Sequence, residues 1–109
     1  MLGISDIMYA ASDGLSVCIS RRNPLGIKGE YDSSYPRITL YPANNDSPKD
    51  LGVTVLHEFI HHKRDDAKSN RSSGSDECSV EAEALAVYEK RPYLLQFIKE
   101  LYNLKPIDF

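Results

Sequence analysis

Between Ser47 and Arg64 the chain places Leu51, Val53, Val55, Leu56, Phe59 and Ile60 so that apolar side chains cover more than half of a helical circumference. A helix apolar over so wide an arc belongs inside a fold, with only a narrow polar strip left over. Its start is legible. Ser47 is a capping residue type, Pro48 suits the first helical position, and Asp50 stands three residues after the cap. Lys63 and Arg64 favour an end there through the helix dipole, although Asp65 and Asp66 do not. The rest of the chain has to be arranged around this segment. Its 109 residues suit one domain over 1–109, burying roughly two-thirds of the surface of the unfolded chain.

Upstream, Ile4, Ile7, Met8 and Ala11 fall at helical spacing over 3–13, and Gly14 is a C-terminal stop. Leu15, Val17 and Ile19 alternate with Ser16, Cys18 and Ser20, the period of a half-buried strand. After a turn over 21–26, a weaker strand is expected from Ile27 to Tyr31, and a second clear alternation runs from Arg37 to Tyr41. Pro36 and Pro42 bracket that last strand and predict an edge position, because a proline nitrogen cannot donate to a central ladder. Downstream, residues 65–75 read as a polar loop. A helix is expected from about Ser75 to Lys90, with Asp76 and Glu77 in its first turn, and a third from Pro92 to Leu104. No repeat or domain boundary is evident. The expected fold is α+β: a small antiparallel or mixed sheet of about three strands packed on the central helix and the glutamate-bearing helix after it.

Several classes are disfavoured. No stretch approaches the roughly 20 apolar residues of a membrane-spanning helix. The N-terminus lacks a basic segment and carries Asp6 and Asp13, unlike a secretory signal, so a cytoplasmic location is expected. With 13 Lys plus Arg against 16 Asp plus Glu and a net charge of −3, there is no polycation to neutralise nucleic-acid phosphates. Cys18 and Cys78 have no metal-type spacing; they read as small buried hydrophobes, a disulfide pair or a reactive thiol.

All three histidines fall between positions 57 and 62. In His57-Glu58-Phe59-Ile60-His61 the two imidazoles are four residues apart, on one helix face, so both can reach one metal ion. Glu58 projects about 100° round from His57, where it can take a proton from a water and pass it to a leaving amine. Zinc suits such a site, with two imidazoles, a third protein ligand and one open position. His62 is about 100° round from His61 and reads as a surface or supporting residue. The third ligand is then a carboxylate, with Glu77, Glu81 and Glu83 as candidates; Glu77 and Glu81 share a face, and Glu83 points away from Glu81. Ala82, Ala84 and Ala86 would let their helix approach the histidine helix closely.

His57-Glu58-x-x-His61, followed some twenty residues later by Glu81-x-x-Ala84, resembles the gluzincin metallopeptidases. The segments GEYDSSYPRITLYP and TVLHE also resemble the ImmA/IrrE-type peptidase domain. At this length the chain is most similar to the minigluzincins, single-domain relatives of the CAAX- and HtpX-type peptidase domains, over about residues 27–90. The resemblance implies a zincin-like fold, His57, His61 and Glu81 as zinc ligands, Glu58 as general base, and a peptide or protein substrate. It also implies latency, with a terminal segment over the cleft; residues 103–109, including Asp108, are the candidate. The chain departs from the pattern at Ile60, usually a small residue, and at Leu85, usually an acid or amide. The group that would steady a ligand histidine is therefore absent or supplied from elsewhere.

An extended peptide adding to the free edge of Arg37–Tyr41 would give a route to substrate binding. Tyr31, Tyr35, Tyr88 and Tyr93 are candidates for stabilising a developing oxyanion, or wall residues. Two other functions compete with a peptidase: a metal-bound regulatory module that binds a protein partner, and a structural zinc domain. Glu58 separates them, because a structural site needs no base beside its histidines.

Overall fold

A computed structural model describes residues 1–67, 74–104, 107 and 109. Helix α1 (Ile4–Ser12) begins where the Gly3 amide donates to the Asp6 carboxylate at 2.9 Å. It ends at Gly14, whose φ of +92° is backbone that side-chain-bearing residues rarely adopt. The Leu15 amide then bonds back to the Ala10 carbonyl at 3.0 Å, and the chain turns directly into the sheet.

Strands β1 (Ser16–Ile19), β2 (Gly29–Asp32) and β3 (Arg37–Leu40) form a mixed sheet in the order β1-β3-β2. Strand β3 pairs in parallel with β1, Ser16 across from Arg37, and antiparallel with β2, Asp32 across from Arg37. The expected edge position of β3 is thus corrected: it is the central strand. Pro36 and Pro42 fall outside the paired residues, and Pro36 contributes its carbonyl, which accepts from the Ser16 amide at 3.2 Å. A proline that supplies an acceptor does not interrupt a ladder.

One face of the sheet packs on helix α2 (Pro48–Ala67), with Ile38 and Leu40 of β3 fully buried. The Ser47 hydroxyl caps α2 by accepting from the Asp50 amide at 3.1 Å. Val55, Leu56, Phe59 and Ile60 are buried, as the wide apolar arc requires, and α2 continues three residues beyond Arg64. Helix α3 (Gly74–Lys90) lies against α2 through Val80, Ala84 and Val87. Of the three alanines, Ala84 is buried and Ala82 is exposed. The expected polar loop lies partly outside the described residues. Helix α4 (Tyr93–Leu101) buries Leu94, Leu95 and Ile98 and stops short of Leu104. There Asn103 takes φ +56° and the Leu104 amide bonds back to the Lys99 carbonyl at 2.8 Å, a left-handed helix end.

Cys18 and Cys78 are free and exposed, so neither is a buried hydrophobe. Among the described residues, no helix is long and apolar enough to cross a membrane.

Candidate metal centre

The narrow polar strip of α2 carries His57, Glu58 and His61, and the packing of α3 brings carboxylates to it. Val80 and Ala84 seat α3 on α2, and Glu77, one turn earlier on the same side, reaches the histidines. The two Nε2 atoms of His57 and His61 are 3.1 Å apart. Glu77 Oε1 lies 2.8 Å from His61 Nε2, and Oε2 lies 3.1 Å from His57 Nε2. The three residues offer ligand atoms within 4.8 Å of one another.

These spacings fit a metal. Nitrogen ligands at 2.0–2.1 Å from a tetrahedral zinc are about 3.3 Å apart, close to the observed separation of the imidazole nitrogens. Two imidazole lone pairs and a carboxylate repel unless a proton or a metal cation lies among them.

Glu81 stands elsewhere. Its Oε1 lies 2.9 Å from His57 Nδ1. A carboxylate at that distance accepts a hydrogen bond from the Nδ1 N–H, which fixes the tautomer of His57 and leaves the Nε2 lone pair for a cation. The sequence resemblance implies Glu81 as third ligand; the carboxylate that meets both Nε2 atoms is Glu77. Leu85 has no polar atom to offer an imidazole; Glu81 is the carboxylate that meets His57 Nδ1. Glu83 belongs to neither group: it pairs with Arg64 at 2.8 Å and accepts from the Leu2 amide at 3.0 Å.

Glu58 is 7% exposed and has no hydrogen-bond partner among the described residues. Burial pushes its carboxyl up to about 7; Glu77 and other nearby carboxylates add to this, and His57 opposes it. The histidines, Glu58, Glu77 and Glu81 border a cavity of about 530 Å³ whose opposite wall is the segment from Gly26 to Tyr31. Strand β2 comes so near α2 that a side chain on Gly29 would meet Thr54 Cγ2 at 2.7 Å and Glu58 Oε2 at 3.4 Å. At the rim, the Lys28 ammonium bonds to Asp50 at 3.0 Å, which raises the lysine pKa.

His62 is buried, 4% exposed, and therefore not on the surface. Its Nδ1 is 2.9 Å from the Tyr31 hydroxyl, and the two rings meet edge to face. Of the four candidate tyrosines, Tyr31 alone borders the cavity among the described residues. Tyr35 lies beneath the Arg37 guanidinium, Tyr88 beneath the Lys49 ammonium, and Tyr93 is half exposed. The contributions of Gly29 and Tyr31 carry no motif. The sequence signals for them are the weak strand that contains both and the GEYDSSYPRITLYP resemblance.

An α+β fold with the HExxH residues on one helix and a carboxylate from the next, Glu77, defines a zincin-like arrangement. No protein-family model matches the chain, and searches of curated proteins and of solved structures find no match either.

Proposed function

We propose that the chain is a zinc peptidase of the gluzincin type, closest in kind to the minigluzincins, with residues 1–109 as one catalytic domain. The observation that carries this reading is Glu58, a buried carboxyl without a hydrogen-bond partner among the described residues, on the same cavity as the His57–His61–Glu77 cluster. A structural metal site has no use for such a group. His57, His61 and Glu77 would hold the ion, with Glu81 orienting His57. Zinc supplies Lewis acidity and a lowered pKa for a coordinated water. Glu58 takes the proton of the attacking water and returns it to the leaving amine.

An extended peptide or protein substrate adds to the free edge of β2, not of β3, since β2 is the edge strand that borders the cavity. Tyr31, whose hydroxyl lies 2.9 Å from His62 Nδ1 and which borders the cavity, would be the donor to the oxyanion. Free Cys18 and Cys78 suit a reducing, cytoplasmic setting. Latency through the C-terminal tail draws no support from Leu104, Ile107 or Phe109: the first two are buried in the core, and none of the three lines the cavity. Asp108 lies outside the described residues.

The test is zinc stoichiometry and peptide cleavage in four proteins. Glu58→Gln should keep zinc and lose cleavage, whereas a regulatory or structural zinc module would be little changed by it. Glu77→Ala should lose zinc, and Glu81→Ala should weaken it about 10–100-fold. Full zinc in Glu77→Ala with none in Glu81→Ala would return the third-ligand role to Glu81.

A further inference from the structure

Side chains alternate across a strand. Gly29 faces Thr54 and Glu58, and Tyr31 faces His62, so both look toward α2. Glu30 and Asp32 therefore project from the other face of β2. The two acids are not equivalent. Asp32 stands across from Arg37 in the sheet and accepts from the Ser34 amide at 2.9 Å. Glu30 stands across from Thr39 and has no ion-pair partner among the described residues. Its one hydrogen bond there comes from the hydroxyl of Tyr41, at 2.9 Å, and Tyr41 is 5% exposed. A buried tyrosine at the end of β3 thus holds the exposed Glu30 carboxylate in place on the face of β2 turned away from α2.

The surroundings have the same sign. Glu30 borders the cavity together with Glu58, Glu77, Glu81 and Asp50, and Lys28, the one lysine or arginine bordering it among the described residues, is already taken up by Asp50 at 3.0 Å. A divalent cation leaves that lining negative. The same cavity holds Glu58, more than nine-tenths buried and without a hydrogen-bond partner among the described residues, a group that implies a ligand there.

Resting on the peptidase reading above, we propose that the cleft takes extended peptides bearing a lysine or arginine at the residue that pairs across from Glu30 on the free edge of β2. Directly opposed residues on neighbouring strands bring their Cβ atoms to about 4.5–5.5 Å, near enough for a side-chain ion pair. The neighbouring substrate residues then turn their side chains toward α2. The basic residue so recognised is therefore close in sequence to the bond that is cut.

Zinc-loaded Glu58→Gln protein, which binds without cleaving, provides the test. Pairs of otherwise identical peptides carry arginine or glutamate at one position, moved stepwise along the chain, and affinity is read by fluorescence anisotropy at low ionic strength. At one position the arginine peptide binds about tenfold more tightly than its glutamate twin. Added salt shrinks the ratio. Introducing Glu30→Gln brings the ratio close to one, Glu30→Lys inverts it, and Asp32→Asn leaves it in place. Equal affinities at every position, binding of neither peptide, or a preference that survives Glu30→Gln overturns the proposal. The peptidase reading fails separately, if zinc-loaded wild-type protein cuts none of the peptides that the Glu58→Gln protein binds.

Discussion

Glu58 places opposing demands on the chain. Folding takes its carboxyl out of water and raises its pKa from 4.5 to about 7. A carboxyl with a folded pKa above its unfolded one favours the folded state while protonated, and that contribution is lost as pH rises from about 4.5 through 7. The metal-free protein should accordingly be less stable at pH 8 than at pH 5.5 through this group. Glu58→Gln, which stays neutral, should recover about 3 kcal/mol at pH 8 and roughly half of that at pH 5.5, where the unfolded carboxyl is already largely ionised. Urea unfolding of the two metal-stripped proteins at both pH values measures it; an equal effect at the two pH values would refute it. The histidine pair and the glutamate beside it were legible at this scale because four-residue spacing is fixed by the helix itself. Which imidazole nitrogens Glu77 and Glu81 meet was not. Both lie on one face of α3, and which imidazole nitrogen each meets depends on the seating of α3 on α2, a tertiary quantity.

At the scale of elements, the contact of β2 with α2 sets the width of the cleft. Gly29 has no room for a methyl group against Thr54 Cγ2. Gly29→Ala should push β2 outward, cost about 1–3 kcal/mol of stability, and lower kcat/KM by moving the substrate edge away from Glu58. Thr54→Ser removes that methyl while keeping the hydroxyl, which lies 2.8 Å from Asn45 Oδ1 and 2.9 Å from the Asp50 carbonyl oxygen. The double variant should therefore regain much of the loss in both melting temperature and kcat/KM; no rescue would mean that Thr54 is not what Gly29 accommodates. Element identity was largely readable from periodicity and caps: Ser47 and Pro48 open α2, Gly14 ends α1, β1 and β3 fall where alternation put them, and β2 overlaps the weaker strand expected over 27–31. Strand order was not readable. Pro36 and Pro42 suggest an edge only if they lie within the ladder, and register, which sequence alone leaves open, puts them just outside it.

The whole molecule is closed at its C-terminal end by the core rather than by the cleft. Leu104 and Ile107 are 4% and 8% exposed and join the cluster that includes Leu51, Leu94 and Ile98. Ile107→Ala should cost about 2–4 kcal/mol, and removal of residues 103–109 should lower the melting temperature without raising peptidase activity. A truncated protein that is more active and equally stable would reinstate the tail as an inhibitor. The apolar tip of the tail was visible in the sequence, but its destination depends on the reversal at Asn103.

The central position of β3 also bears on how the chain finds this arrangement. Asp32 and Arg37, five positions apart, open the β2–β3 ladder, whereas Ser16 and Arg37, twenty-one apart, open the β1–β3 ladder. By loop-closure entropy the longer pairing costs about 1.3 kcal/mol more before any contact repays it. The strand that borders the cavity thus belongs to the half of the sheet that the chain closes locally, while β1 is recruited across a long excursion to the far side. Opening of β1 by thermal fluctuation can leave the β2–β3 hairpin, and with it the rim of the cleft, intact.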